Sequence, residues 1–275
     1  MRRWTPLLWT ALSVIGGCAD EGASGSTDRP PPVVIPDSRV ARFSVVKSWP
    51  HDPGAFTQGL EFEKGRLYEG TGGEGKSTLR EVALETGDVV RMATLKPEEF
   101  GEGITVMGDR IYQLTWKSRK GFVYDLRTFK PVSGFTYDGE GWGLTNDGSS
   151  LIMSNGTDTL YWRDPKTFAV LRSVAVRDGT RPVSQLNELE WVNGEVFANV
   201  WQTDSIVRIN PQSGAVVGWV NLRGLFSASD RGRYLSPTQA TDVLNGIAWD
   251  DSTRRLLVTG KWWPRIYQIT IDSTG

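Results

Sequence analysis

Apolar and polar positions along the chain recur in a fixed order, and not at a helical period. Five short stretches each end in an apolar residue that opens a strand-like run: Gln58-Gly59-Leu60, Glu102-Gly103-Ile104, Trp142-Gly143-Leu144, Asn187-Glu188-Leu189 and Asn245-Gly246-Ile247. The apolar residues stand 44, 40, 45 and 58 positions apart. A repeat of about 40–50 residues is what a propeller blade requires. Behind each run comes a turn rich in Gly, Asn or Asp, then a second strand: Leu67 to Thr71, Ile111 to Trp116, Leu151 to Asn155, Val196 to Trp201 and Leu256 to Lys261. A third strand ends near Asp or Asn, as in Val123-Tyr124-Asp125, and a fourth follows turns such as Thr86-Gly87 and Ser213-Gly214. Short strands joined this way are hairpin meanders.

Four strands per unit and five units predict an all-β, five-bladed β-propeller over residues 39–275. The last unit holds three strands after Asn245, while the strand Ala41 to Trp49 has no unit of its own. If that strand completes the last blade, the ring closes and a sheet edge is covered. The long fourth interval carries Arg223 to Val243, polar and Ser-rich, which reads as a loop or short helix at the rim. No helix of 12 or more residues is expected.

Strands one and two of a blade run antiparallel, so the start of the first and the end of the second lie at one end of the axis. Aligning the second strands adds Gly72, Trp116, Gly156, Trp201 and Lys261 to the ring of Gln58, Glu102, Trp142, Asn187 and Asn245. One mouth of the channel therefore collects aromatic surface and a few convergent polar groups, the composition of a ligand site. Glu and Lys at positions that are neutral or aromatic in sister blades are poor choices for packing.

Composition narrows the chemistry. The chain has 275 residues, 31 Lys+Arg against 32 Asp+Glu, one His and one Cys. Balanced charge argues against a nucleic-acid partner, and His51 with Cys18 is too little for a His/Cys zinc site. The N-terminus reads as an export signal over 1–17: Arg2 and Arg3, an apolar run from Pro6 to Ile15 too short to span a bilayer, then Ile15-Gly16-Gly17-Cys18. That last stretch resembles the lipobox of bacterial lipoproteins. It makes Cys18 the expected lipidation site, and the lipid anchor the expected link to a membrane. Ala19 after it favours, by the same likeness, an exported lipoprotein of the outer membrane facing the periplasm. Residues 18–38, with Pro30-Pro31-Pro32, read as a tether. Gly70-(x)4-Gly75-Lys76-Ser77 matches a phosphate-loop pattern, but Thr78 onward reads as a strand where that loop needs a helix.

Several stretches resemble the plant-type glutaminyl-peptide cyclotransferases, which are also found in bacteria. They are His51-Asp52-Pro53-(x)2-Phe56-Thr57-Gln58-Gly59-Leu60, Phe100-Gly101-Glu102-Gly103, Gly141-Trp142-Gly143-Leu144, Asn187-Glu188-Leu189-Glu190-Trp191, Leu244-Asn245-Gly246-Ile247-Ala248 and Gly260-Lys261-Trp262. The resemblance covers roughly residues 42–271 and implies the same five-bladed fold. It implies conversion of an N-terminal glutaminyl residue of a peptide to pyroglutamate with release of ammonia. Glu102 is the expected proton shuttle, and Lys261, Asn187 and Gln58 the expected donors to the oxyanion or the substrate. Phe56, Phe100, Trp116, Trp142 and Trp201 are the expected substrate-binding walls, and Asn155 and Glu190 are expected to be structural. No cofactor is expected for the reaction, while a structural Ca²⁺ on the axis is compatible with the many oxygen ligands. Two other readings stay open: a non-catalytic peptide-binding propeller, which does not need Glu102, and a metal-dependent lactonase-like hydrolase, which needs more axial carboxylates than the ring's one.

Overall fold

The computed structural model describes residues 39–234 and 243–272. The expected export signal, Cys18 and the tether lie outside the described residues, as do 235–242 of the insertion. Among the described residues, no helix is long and apolar enough to cross a membrane.

Five four-stranded antiparallel units follow one another. Blade 1 comprises Thr57–Glu63, Arg66–Thr71, Thr78–Val82 and Val89–Thr94, and blade 2 Gly101–Met107, Arg110–Thr115, Lys120–Asp125 and Pro131–Thr136. Blade 3 comprises Leu144–Asn146, Leu151–Met153, Thr159–Arg163 and Val170–Ala175, and blade 4 Leu186–Val192, Glu195–Val200, Ser205–Ile209 and Val216–Asn221. Blade 5 has Leu244–Asp250, Arg255–Gly260 and Arg265–Ile271, and its fourth strand is Phe43–Pro50 from the start of the chain. The first strand of each blade is buried nearly throughout, whereas outer strands such as Val89–Thr94 are largely exposed.

Closure is as the repeat demanded, with one difference. The expected strand Ala41 to Trp49 is two. Val40–Ala41 pairs in parallel with the outer strand of blade 4, and Phe43–Pro50 then pairs antiparallel with the last strand of blade 5. The entering segment thus binds two adjacent blades. In the insertion, Ala228–Tyr234 forms a short helix. The phosphate-loop pattern falls on a hairpin: Gly70 and Thr71 end one strand, and Thr78 starts the next.

The glycine after each ring residue lets neighbouring blades close on the axis. A Cβ on Gly59 would lie 2.5 Å from the Ile104 nitrogen of blade 2, one on Gly103 2.6 Å from the Leu144 nitrogen of blade 3, and one on Gly143 1.9 Å from the Asn187 oxygen of blade 4. Where blade 4 carries Glu188 instead, the side chain spans the axis. It accepts from Leu60 N of blade 1 (3.2 Å) and Ile247 N of blade 5 (2.9 Å). Burial pushes its pKa well above the usual carboxylate value.

Candidate active site

Four of the five first strands meet their partners with a break in register at the ring residue: between Thr57 and Gly59, Gly101 and Ile104, Leu186 and Leu189, and Leu244 and Ile247. A bulge gives the extra residue room to turn out of the sheet alternation. Gln58, Glu102, Asn187 and Asn245 sit at these bulges. Blade 3 departs from the pattern, because its first strand starts only at Leu144 and its second ends at Met153, short of the expected Asn155. Trp142 therefore stands in an irregular segment, anchored by its amide to the Ser154 oxygen at 3.1 Å.

The structure gathers all nine expected site residues around one cavity of about 180 Å³: Phe56, Gln58, Phe100, Glu102, Trp116, Trp142, Asn187, Trp201 and Lys261. The glycines of the second ring explain how the wall fits. A Cβ on Gly72 would sit 2.4 Å from the Phe100 ring, and one on Gly156 would sit 2.7 Å from the Trp142 indole. The aromatic residues form two arcs. Phe56 meets Phe100 edge-on with centroids 6.0 Å apart, and Phe100 meets Trp116 at 5.6 Å. Trp142 meets Trp201 edge-on at 5.5 Å.

Glu102 and Lys261 are the charged groups of this lining, each about 4 % exposed. Gln58 Nε2 donates to Glu102 Oε1 at 3.0 Å, and Asn245 Nδ2 donates to Gln58 Oε1 at 3.3 Å. Asn245 also donates to the Thr57 carbonyl at 2.9 Å. It fixes the Gln58 amide from behind and does not line the cavity. Burial drives the Glu102 pKa well above its ordinary value. Lys261 opposes that shift, and Glu140 adds to it. Burial lowers Lys261 to about 8, less the counter-effect of Glu102. Lys261 Nζ also lies 4.5 Å over the Phe56 ring, where a cation is favoured. Asn187 Oδ1 is buried without a hydrogen-bond partner among the described residues, an acceptor with unmet capacity at the pocket wall.

Sequence reasoning missed Glu140 and Glu61, and it did not foresee how Glu61, Glu188 and Glu190 group on the axis. Glu140 Oε2 accepts from both Trp116 Nε1 (2.7 Å) and Trp142 Nε1 (2.9 Å). It has no counterpart in the repeat, so periodicity carries no sign of it. On the axis, Glu61, Glu188 and Glu190 are buried beyond the ring, and Glu61 and Glu190 also face a larger cavity of about 500 Å³. One carboxylate in the ring is therefore not the whole acidic content of the axis. These carboxylates are committed to backbone and hydroxyl groups. Glu61 Oε2 accepts from Thr105 Oγ1 (2.8 Å) and Val106 N (3.2 Å), and Glu190 Oε1 from Trp249 N (2.7 Å). Among the described residues no cluster of three or more His, Cys, Asp or Glu has the geometry to hold a metal ion.

Fold and site define a five-bladed β-propeller with an aromatic-walled pocket, holding one acid and one lysine, at one end of its axis. The family model for glutamine cyclotransferase matches residues 18–271. The chain is 47% identical over 239 residues to a glutaminyl-peptide cyclotransferase of Arabidopsis thaliana, covering 86% of this chain and 73% of the relative. It superposes on the crystal structure of Myxococcus xanthus glutaminyl cyclase with a TM-score of 0.79 and 35% identity, covering 85% of this chain and 98% of the other. The chain belongs to the glutamine cyclotransferase family.

Proposed function

We propose that the protein is a glutaminyl-peptide cyclotransferase, an acyltransferase that closes N-terminal glutaminyl residues of peptides to pyroglutamate and releases ammonia. The observation that carries this reading is the buried Glu102, hydrogen-bonded to Gln58 and paired electrostatically with Lys261 inside an aromatic pocket. The names of the relatives agree with it.

In the reaction, the α-amine nitrogen bonds to the side-chain amide carbon of the same residue, and the bond from that carbon to the amide nitrogen breaks. One proton must travel from the attacking amine to the departing ammonia. A free α-amine has a pKa of about 7.7–8.0. Burial raises the Glu102 pKa well above its ordinary value, which narrows its gap to the amine and eases proton transfer in both directions. Glu102 takes the amine proton and returns it to the leaving nitrogen. Lys261 Nζ, half-protonated near pH 8, places positive charge where the carbonyl oxygen becomes an oxyanion. Asn187, with its unpaired buried oxygen, orients the amine, and the Gln58 amide orients Glu102. Phe56, Phe100, Trp116, Trp142 and Trp201 hold the substrate curled, so that the two ends of one residue meet.

The same wall without chemistry would suit a peptide-binding propeller, but binding alone gives no reason to bury an acid and a lysine together. The deciding experiment is ammonia release from peptides beginning with Gln, Glu and Asn, with the purified chain in chelator. Release from the Gln peptide supports the cyclase. None from any peptide sinks it, and activity lost to chelator and restored by metal would favour hydrolase-like chemistry. The reading requires no cofactor. Cys18 lipidation, export to the periplasmic face of the outer membrane and anchoring by lipid complete the proposal, and labelled palmitate incorporation lost in Cys18→Ser tests them.

A further inference from the structure

The two aromatic arcs of the pocket, Phe56–Phe100–Trp116 and Trp142–Trp201, belong to different blades and do not stack on each other as a continuous series. What joins them is one oxygen atom. Glu140 Oε2 accepts both indole N–H groups, from Trp116 at 2.7 Å and from Trp142 at 2.9 Å. The Gly141 amide next to it donates to the Trp116 carbonyl at 3.0 Å, so the segment is pinned to Trp116 by backbone as well. A Cβ on Gly141 would lie 2.4 Å from the Tyr137 hydroxyl, so only glycine lets that ring approach the segment so closely. The outer carboxylate oxygen lies 4.0 Å from Lys117 Nζ, and that ammonium sits 3.7 Å over the Trp116 ring.

Trp116 and Trp142 are half-buried and the Glu140 side chain is 39% exposed, so the bracket sits at the rim of the pocket; a charged acceptor holds an indole N–H more tightly than a neutral one. Shared between two indoles, it also fixes the angle between them. We propose that Glu140 is a positioning residue of the cyclase pocket: it brackets Trp116 and Trp142 so that the wall is preformed when the substrate enters. The proposal rests on the cyclase reading for its consequence in catalysis, but not for the bracket itself. A second effect follows from charge. Glu140 lies close enough to disfavour ionisation of Glu102, so its removal shifts the titration of the shuttle as well as the walls.

Three variants separate the parts. Glu140→Leu removes acceptor and charge, Glu140→Gln keeps an acceptor oxygen and removes the charge, and Lys117→Met removes the outer ion pair together with the cation–π contact on Trp116 while leaving the shared acceptor in place. The direct readout is the indole N–H region of ¹⁵N-labelled protein, with Trp116 and Trp142 assigned through Trp116→Phe and Trp142→Phe. The bracket requires that both resonances move together in Glu140→Leu, while the other indoles stay. The kinetic readout is ammonia release from a Gln-initiated peptide. Glu140→Leu is expected to raise KM about tenfold, the scale on which a misplaced wall weakens binding. Glu140→Gln is expected to recover most of the KM and to move the Glu102 limb of the pH–rate profile to lower pH. Wild-type indole positions in Glu140→Leu, or a KM within about twofold of wild type, would overturn the proposal. The resonance test holds even if the wild-type protein releases no ammonia, so failure of the cyclase reading and failure of the bracket register separately.

Discussion

Gln58 hands its side-chain N–H to the Glu102 carboxylate at 3.0 Å, across the seam between blades 1 and 2. A donor to the charged form favours a carboxylate, while burial, with Glu140, pushes the Glu102 pKa well up against the pull of Lys261. Gln58→Leu removes that donor and the acceptor that Asn245 uses. The expected outcome is a fall in kcat of about tenfold, with the acid limb of the rate profile displaced to higher pH. Glu102→Gln is expected to lose about a thousandfold or more, the usual worth of a positioned proton carrier. Both are read by continuous ammonia release over a range of pH. Full activity in Glu102→Gln would remove the shuttle role.

Lys261 sets the other limb. Burial lowers its pKa to about 8, against the pull of Glu102. Below that pH Nζ is an ammonium and can stabilise an oxyanion. As pH rises through about 8 the proton is lost and the rate falls with it, although the substrate amine becomes a better nucleophile over the same range. Lys261→Met is expected to cost about a hundredfold in kcat and to abolish the falling limb. The measurement is kcat/KM against pH, which reports groups of the free enzyme and free substrate. A falling limb that persists unchanged in Lys261→Met assigns it to another group.

Repetition made much of this legible. The five ring stretches and the ends of the second strands could be aligned because each blade solves the same packing problem, and Glu102 and Lys261 stood out as charges where sister blades are neutral. The bulges that turn Gln58, Glu102 and Asn187 into the pocket were not legible, since a register break leaves no mark in hydrophobic alternation. Glu140 was invisible for a different reason. It lies in an irregular segment, and its role depends on two indoles that fold toward it from positions 116 and 142. Glu188 was visible as the exception to the glycine rule, yet only the structure reveals that it reaches Ile247 of the adjacent blade 5 and Leu60 of blade 1.

Gly143 tests how tightly the blades close around the pocket. Its Cβ would fall 1.9 Å from the Asn187 carbonyl oxygen, a backbone atom that cannot swing aside. Gly143→Ala is expected to cost about 3 kcal/mol, at the upper end of overpacking effects. It should also lower activity in the folded fraction, because the strand it displaces carries Asn187. Gly148, in the next turn, has φ of +83° and open space around it. Gly148→Ala should lose only about 1 kcal/mol, from its left-handed conformation. Urea unfolding of the two variants separates a steric clash from a backbone preference. Equal losses would mean that the blade contact is not tight.

His51 closes the ring electrostatically. Its Nε2 lies 3.0 Å from Glu69 Oε1, and its Nδ1 2.6 Å from the Trp263 carbonyl oxygen. Both ring nitrogens face acceptors, so the imidazolium, with two N–H donors, fits best. Burial alone would lower the pKa of His51, but the charge and hydrogen bond of Glu69 and the Trp263 carbonyl hold it above its ordinary 6.5. Burial alone would raise Glu69, but His51, Arg80 and Thr57 hold it below its ordinary 4.5. The signs fix a window. The His51 contribution is complete below the unfolded value near 6.5 and disappears as pH rises through the higher folded pKa. The Glu69 contribution is complete above the unfolded value near 4.5 and disappears as pH falls through the lower folded one. Stability from the pair should therefore be greatest between those two unfolded values and decline on the alkaline side. His51→Gln should remove that alkaline decline and cost most near pH 5.5, a loss of about 3 kcal/mol for breaking a buried pair. Denaturant midpoints of wild type and His51→Gln at pH 5.5 and pH 9 make the comparison. Equal differences at the two pH values would show that the seam between blades 1 and 5 is held by packing and not by the charge on His51.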